Sequence, residues 1–117
     1  MTQQHWTQET IMQKVASGKP YTLLHLLPGK AMPEDENLVN QLQLAHLAHL
    51  FTLEQQGNIS VYGPVSNNAK LRGIIVFNTN DHEAITMLMA TDPYIQAGYL
   101  RYELFDFFSI PGQTLAG

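Results

Sequence analysis

The sequence predicts a mixed α+β fold in which a four-stranded antiparallel sheet carries two helices on one face. Three observations lead to this prediction. They are the order of strand-like and helix-like segments, the apolar character of both faces of the strand-like segments, and a hydrophobic fraction of 44% against 14% charged residues. A chain of 117 residues is about one domain long, and so low a charge content excludes disorder driven by charge excess.

The chain begins with a predicted short helix followed by a strand. Thr7 to Ala16 has the spacing of an amphipathic helix. Gly18 and Pro20 end it, because glycine just past a helix and proline beyond it are stop signals. Tyr21 to Leu27 then alternates as a strand does, and both of its faces are largely apolar.

The middle of the chain predicts the longest helix and two more strands. Asn37 to Gln56 is a helical stretch ending at Gly57, and it is apolar on more than one side. A helix of that kind is typically buried by more than one neighbour. Asn58 to Tyr62 reads as a short strand ended by Gly63-Pro64, and Leu71 to Asn78 as a third strand.

The last part of the chain predicts one more helix and a final strand. Asn80 precedes the helix, with Glu83 three residues later in an arrangement close to a capping box. Asp92-Pro93 ends the helical pattern, and Tyr99 to Phe108 alternates as a strand. After the leading helix the order is strand, helix, strand, strand, helix, strand, which is the ferredoxin-like split βαβ order.

The two-sided apolar pattern of the strands also predicts a partner. Two helices cover only one face of a four-stranded sheet, and an antiparallel sheet with a wet second face would alternate apolar and polar residues. We therefore expect a homodimer, in which a second copy covers the open sheet face through a two-fold interface. We expect one domain over residues 1–117, with a helical extension at 1–19, a ferredoxin-like core at 20–109 and a tail at 110–117.

Composition excludes several classes of function. The net charge is −4 and the 6 Lys and Arg residues form no cluster, so neither nucleic acid nor an anionic membrane surface is an expected partner. The absence of Cys excludes a disulfide framework, a Cys-ligated metal and thiol catalysis. No apolar run approaches the roughly 20 residues of a membrane span, and the N-terminus does not resemble a secretory signal. We therefore expect a cytoplasmic protein.

Two histidines on the long helix are the first candidates for chemistry. His46 and His49 lie three residues apart, so they are neighbours on one helix face. They could form a metal pair, a general base with a helper, or a buried histidine bonded to backbone. No third metal ligand is evident, so we expect neither a metal nor a cofactor. Spacing alone does not say which histidine would act.

Three further positions allow a structural and a functional interpretation. Asp92 follows a helix C-terminus, where the helix dipole disfavours a carboxylate. It could cap the turn that begins with Pro93, the interpretation that the residues alone favour, or it could orient a histidine. Gly63-Pro64 could be a simple turn or a pocket edge. Arg72 could be a solvated edge charge, which the residues favour, or a binding group for an anionic ligand.

Taken together, these motifs resemble a known family. The YCII-related family is similar to this chain from Tyr21 to Phe108, in motifs that run His46-Leu47-Ala48-His49-Leu50, Gly57, Tyr62-Gly63-Pro64, Arg72-Gly73, Thr91-Asp92-Pro93-Tyr94 and Ala97-Gly98. The resemblance implies a dimeric α+β barrel of ferredoxin-like subunits. It also implies an active-site pair that maps onto His46 and Asp92. Many members carry Arg three residues before that histidine, where this chain has Gln43, so an anionic substrate would need Arg72 or the ligand would differ.

The hypothesis that follows is a small cofactor-free enzyme that transfers protons on a small ring-derived metabolite, as an isomerase or a dehydrohalogenase-type lyase. His46 would be base and then acid, because imidazole has an ordinary pKa of about 6.5. Asp92 would hold its tautomer. The residues expected to line the pocket are His49, Tyr62, Gly63, Pro64, Arg72 and Tyr94. The alternatives are a dimeric small-ligand-binding or accessory protein without turnover, and a structural dimer whose cavity is filled by its own side chains.

Overall fold

A computed structural model describes residues 5–117 of the chain. The sheet has the order β2-β3-β1-β4, and its neighbouring strands are antiparallel. This is the predicted ferredoxin-like topology. In chain order the helices and strands are α1 (Gln8–Ala16), β1 (Lys19–Pro28), α2 (Glu36–Gln55), β2 (Ile59–Pro64), β3 (Gly73–Phe77), α3 (His82–Met89), α4 (Pro93–Gln96) and β4 (Leu100–Ser109).

Local signals explain where the long helices begin and end. Asp35 caps α2, because its carboxylate accepts from the backbone N–H groups of Asn37 and Leu38. Past the end of α2, Gly57 has a φ of +81°, a left-handed conformation that glycine adopts without a Cβ clash. The start predicted for α3 was wrong by one residue. Asp81, not Asn80, has the extended cap conformation and accepts from a backbone N–H inside the helix.

Alternation along the strands divides the sheet into two faces. Thr22, Leu24 and Leu26 of β1 are buried, while the residues between them are only half-buried. The buried face meets α2 and α3 in one hydrophobic core of nine residues, which are Leu24, Leu26, Leu50, Leu53, Ile59, Ile75, Phe77, Ile85 and Met89. This face therefore carries both helices, as the order of the elements predicted.

The opposite sheet face carries an apolar patch that has no cover within residues 5–117. Register places Leu23 beside Val76 on one side and Phe105 on the other. Paired residues of an antiparallel sheet project to the same face, so these three side chains form a contiguous patch. Phe105 remains 40% exposed and Phe107 37% exposed.

Two helices also keep apolar residues in solvent. α1 buries none of its residues, and Leu44 and Phe51 of α2 are 69% and 55% exposed. α2 packs against the sheet and against α4, but its side with Leu44 and Phe51 remains largely exposed over residues 5–117. The described molecule is elongated, with extents of 57 × 32 × 27 Å. Over the same residues, none of the helices has the length and hydropathy needed to span a bilayer.

Candidate active site

A cleft of about 720 Å³ opens between α2, α4 and the end of the sheet that carries β2 and β3. Its walls are mainly apolar, and its polar side chains are few. The lining residues are Leu26, Pro28, Met32, Val39, Gln43, His46, Leu47, Leu50, Tyr62, Gly63, Pro64, Arg72, Gly73, Ile74, Ile75, Tyr94 and Leu100. A concave, mostly apolar surface with a few convergent polar groups is typical of a small-molecule site.

The structure brings His46 and Asp92 together at the wall of this cleft. Nδ1 of His46 lies 2.7 Å from Oδ2 of Asp92, and the two side chains are 10% and 0% exposed. An ionised carboxylate only accepts hydrogen bonds, so His46 donates through Nδ1–H. Its Nε2 makes no hydrogen bond within the described residues, and His46 lines the cleft. Nε2 is therefore the ring nitrogen available to a ligand.

Asp92 is held in place by the start of α4. It is the N-cap of that helix, and its Oδ1 accepts from the backbone N–H of Tyr94 at 2.8 Å. Pro93 occupies the first helical turn, where a missing N–H costs nothing. Each carboxylate oxygen thus has its own partner, the helix end for one and the imidazole of His46 for the other. Asp92 therefore caps α4 and contacts a histidine at the same time, so both interpretations of this residue hold.

Two opposing effects determine the charge of Asp92. Burial alone would raise the pKa of its carboxyl, but the hydrogen bond from His46, followed by the close contact with His49 and by the hydrogen bond from the backbone N–H of Tyr94, outweighs burial and holds that pKa well below its usual range. Asp92 is therefore a carboxylate at neutral pH, buried among donors.

The lowered pKa of Asp92 predicts a loss of stability in acid. A carboxyl with a folded-state pKa below its unfolded value stabilises the fold above about pH 3.9, and this contribution disappears as pH falls through the folded value. Between pH 5 and pH 2 we expect the free energy of unfolding of an Asp92→Asn variant to fall less steeply than that of the wild type. Urea unfolding across this pH range measures it. Equal slopes in the two proteins would contradict the assignment.

His49 lies on the other side of Asp92 and is absent from the walls of the cleft. Its Nδ1 is 3.2 Å from Oδ2 of Asp92, and its Nε2 lies 3.1 Å from the carbonyl oxygen of Leu88. The expectation that His49 lines the pocket is therefore corrected. On a helix, residues three apart differ by about 60° in direction, which is enough to place one imidazole at the cleft and the next behind the carboxylate.

Tyr94 and Gln43 form a second polar pair in the cleft. The hydroxyl of Tyr94 donates to Oε1 of Gln43 at 2.7 Å, and the Tyr94 ring packs against His46 with centroids 4.9 Å apart. Burial, then the charge of Asp92, raises the pKa of the Tyr94 phenol. Gln43 thus uses its oxygen to orient a tyrosine, and its amide N–H groups have no partner in the described residues. Gln43 therefore presents a neutral donor at this wall of the cleft.

The remaining predicted site residues lie on the sheet side of the cleft. Tyr62, Gly63, Pro64 and Arg72 all line it. β2 ends at Pro64, two residues later than predicted, because Gly63 and Pro64 still pair with Ile74 and Gly73. Proline is tolerated there because β2 is an edge strand.

The hydroxyl of Tyr62 already makes a hydrogen bond to another residue of the chain. It donates to Oε1 of Glu54 at 2.5 Å, and that hydrogen bond is the main reason why the Tyr62 pKa is raised. Arg72 has an exposed side chain. It is the one Lys or Arg residue in the cleft wall over residues 5–117. Over the same residues no group of three or more His, Asp or Glu side chains is arranged to hold a metal ion.

The YCII-related domain model matches residues 23–108, which is most of the chain. The protein belongs to the YCII-related family. A solved structure with a similar fold is the 5-chloro-2-hydroxyhydroquinone dehydrochlorinase TftG from Burkholderia phenoliruptrix AC1100, in complex with 2,5-dihydroxybenzoquinone. The likeness has a TM-score of 0.52 at 17% sequence identity, and it covers 72% of this chain and 90% of that one. No curated protein matches the sequence.

Several residues of this YCII-related protein's site were not found from its sequence. Met32, Val39 and Leu47 line the cleft, and nothing distinguishes them in the sequence from other apolar residues. The contact of His49 with Asp92 was also missed. Its available signal was the three-residue spacing from His46, which indicates a shared face but not what lies between the two rings.

Proposed function

We propose that this YCII-related protein is a small-molecule enzyme in which His46 and Asp92 transfer protons on a small ring-derived metabolite, as an isomerase or a dehydrohalogenase-type lyase. The observation that carries the proposal is the 2.7 Å contact between His46 Nδ1 and a fully buried Asp92 carboxylate, with Nε2 of the same ring left for the cleft. A ring whose tautomer is fixed by an acceptor at Nδ1, with Nε2 free, is the arrangement that a general base needs.

The proton movements balance without a further reactant. Nε2 of His46 would take a proton from a carbon or hydroxyl of the substrate, and Asp92 would stabilise the resulting imidazolium through Nδ1–H. In an isomerisation His46 would return that proton to another atom of the ring. In an elimination the electron pair left by the proton would expel a halide ion, and His46 would later lose its proton to solvent.

The cleft supports a ring-shaped substrate with a developing negative charge. Its apolar walls would pack against a ring, and Arg72 would offer a cation to an oxygen that gains charge. Gln43 and Tyr94 would contribute neutral polar contacts in place of a guanidinium. That the similar structure of TftG holds 2,5-dihydroxybenzoquinone makes hydroxylated quinones and chlorinated hydroquinones the first compounds to test.

The test of this proposal is a substrate panel. The purified protein is incubated with 5-chloro-2-hydroxyhydroquinone, halogenated phenols and lactones, and chloride release and ultraviolet spectra are followed. We expect turnover of at least one compound, abolished by substitution of His46. Binding of 2,5-dihydroxybenzoquinone with no turnover across the panel would instead favour a ligand-binding protein, in which the His46–Asp92 pair only ties α2 to α4.

We further propose that the protein acts as a homodimer through the uncovered sheet face. Supporting this, Leu23, Val76 and Phe105 form a contiguous apolar patch with no cover within residues 5–117. A surface of that kind in a single chain marks a contact with another molecule. A two-fold interface would let the same patch cover its own copy.

A lysine on the open sheet face is expected to separate the dimer. We expect the wild type to sediment at twice the 13.2 kDa chain mass and Leu23→Lys to sediment as a monomer, because the interface would bury an unpaired ammonium. Leu44→Lys is the matched control, since Leu44 is 69% exposed on α2. A wild-type monomer, or a Leu23→Lys dimer, would contradict the proposed interface.

A further inference from the structure

We infer that His49 is a resident imidazolium, protonated on both ring nitrogens at neutral pH, whose positive charge is paired with Asp92 so that His46 stays a neutral base. The first part stands on the hydrogen-bond geometry of His49 alone. The second part rests on the function proposed above.

The Nε2 side of His49 faces only acceptors. It lies 3.1 Å from the carbonyl oxygen of Leu88 and 3.0 Å from Oγ1 of Thr91. The Thr91 hydroxyl already donates its proton to the Leu88 carbonyl at 2.8 Å, so its oxygen is left to accept. A carbonyl has no proton to give. Nε2 of His49 must therefore carry a proton.

The Nδ1 side of His49 faces an acceptor as well. It lies 3.2 Å from Oδ2 of Asp92, is shielded from solvent and has no aligned hydrogen-bond partner. The N–H direction misses the oxygen, so the contact is an ion pair rather than a good hydrogen bond. With Nε2 protonated, a neutral ring would place the partial negative charge of a bare Nδ1 only 3.2 Å from that carboxylate oxygen. A proton on Nδ1 replaces that repulsion with attraction.

Protonation of Asp92 is the other way to relieve such a contact, and the surroundings of Asp92 oppose it. Both carboxylate oxygens already accept, one from His46 and one from the backbone N–H of Tyr94, and these donors help to hold the pKa of Asp92 well below its usual range despite burial. The Asp92 carboxylate in turn raises the pKa of the His49 imidazole, against the opposing effect of burial.

The inferred charge has a consequence for His46, which shares Oδ2 of Asp92 with His49. An unpaired carboxylate beside His46 would favour the imidazolium form of that ring, which has no lone pair for a substrate proton. A cation at His49 offsets the Asp92 charge and leaves the neutral form available.

Asp92 is the charged group that faces His49 from the neighbouring elements, and His46 is the titratable group on its own helix. Leu88 and Thr91 contribute uncharged contacts.

The ring nitrogens can be observed directly by long-range ¹H–¹⁵N correlation in protein labelled at histidine. We expect both nitrogens of His49 to show protonated-type shifts at pH 7.5, and His46 to show one protonated and one bare nitrogen. His46→Gln and His49→Gln spectra assign the signals. A bare nitrogen on His49 at pH 7.5 would overturn the inference, whatever the protein catalyses.

The pH profile of turnover separates this positioning role from a merely structural one. His49→Gln keeps donors but removes the charge. On a substrate identified by the panel, we expect His49→Gln to lose about tenfold in kcat/KM near pH 6 and little near pH 8.5, because the Asp92 charge beside the base is then no longer offset. An equal loss at every pH would overturn the role assigned to His49. If the panel shows no turnover, the proposed function fails while the nuclear magnetic resonance result still decides the charge.

Discussion

Replacing His46 with glutamine is expected to abolish turnover while leaving the protein folded. The amide N–H of glutamine can still donate towards Oδ2 of Asp92, so the buried carboxylate keeps a partner, but an amide does not take a proton at neutral pH. General base catalysis typically contributes about 10²–10⁴-fold to the rate. We expect kcat on the substrate found in the panel to fall by that factor.

His5 offers the matched control for this substitution. It is exposed, so His5→Gln makes the same chemical change away from the cleft and should leave kcat unchanged. Thermal unfolding of both variants, followed by circular dichroism, tests whether the fold survives. If His46→Gln kept wild-type kcat, or if it lowered the melting temperature with no other effect, the pair would be a structural tie rather than a catalytic one.

Replacing Asp92 with alanine is expected to produce the largest loss of stability of any substitution in the site. The change removes the N-cap of α4, leaves the Nδ1–H of His46 without its acceptor, and leaves the charge inferred for His49 without its partner. Removing one partner of a buried charged pair costs about 3–5 kcal/mol. We expect the free energy of unfolding, measured by urea denaturation, to fall by that amount.

Asp81 separates the capping contribution from the buried one. It caps α3 with a single hydrogen bond to Ala84 N–H at 3.1 Å, but its side chain is exposed. Loss of such a cap costs about 1 kcal/mol, so Asp81→Ala should be much milder than Asp92→Ala. Similar losses in the two variants would show that Asp92 is only a cap, and the contact with His46 would then contribute little.

Most of the fold could be predicted because its signals are local. Alternation in β1 separated the buried Thr22, Leu24 and Leu26 from the half-buried residues between them, and Gly57 marked the end of α2. The errors arose where two neighbouring residues could serve the same purpose. Asn80 and Asp81 are both good caps, and only the backbone conformation selects Asp81. Gly63-Pro64 indicates a strand that stops at Tyr62, yet an edge strand tolerates proline and β2 extends to Pro64.

The candidate site was less predictable because its contacts join distant parts of the chain. His46 and Asp92 are 46 residues apart, and Tyr94 and Gln43 are 51 apart. Sequence spacing has no information on such pairs, so only the family resemblance favoured His46 over His49. What separates the two imidazoles is the position of Asp92 between them, which depends on how α4 docks against α2. That docking is a property of the assembled core.

One carboxylate both caps α4 and accepts a hydrogen bond from His46. An aspartate at position 92 can therefore be retained for stability, for catalysis, or for both. A homologue without catalytic activity would still gain stability from an N-cap residue such as aspartate there. Finding that aspartate in a new genome sequence is therefore poor grounds for inferring activity. A histidine at the position of His46 is the more informative marker, because other donor side chains could still pair with the Asp92 carboxylate but could not take a proton at neutral pH.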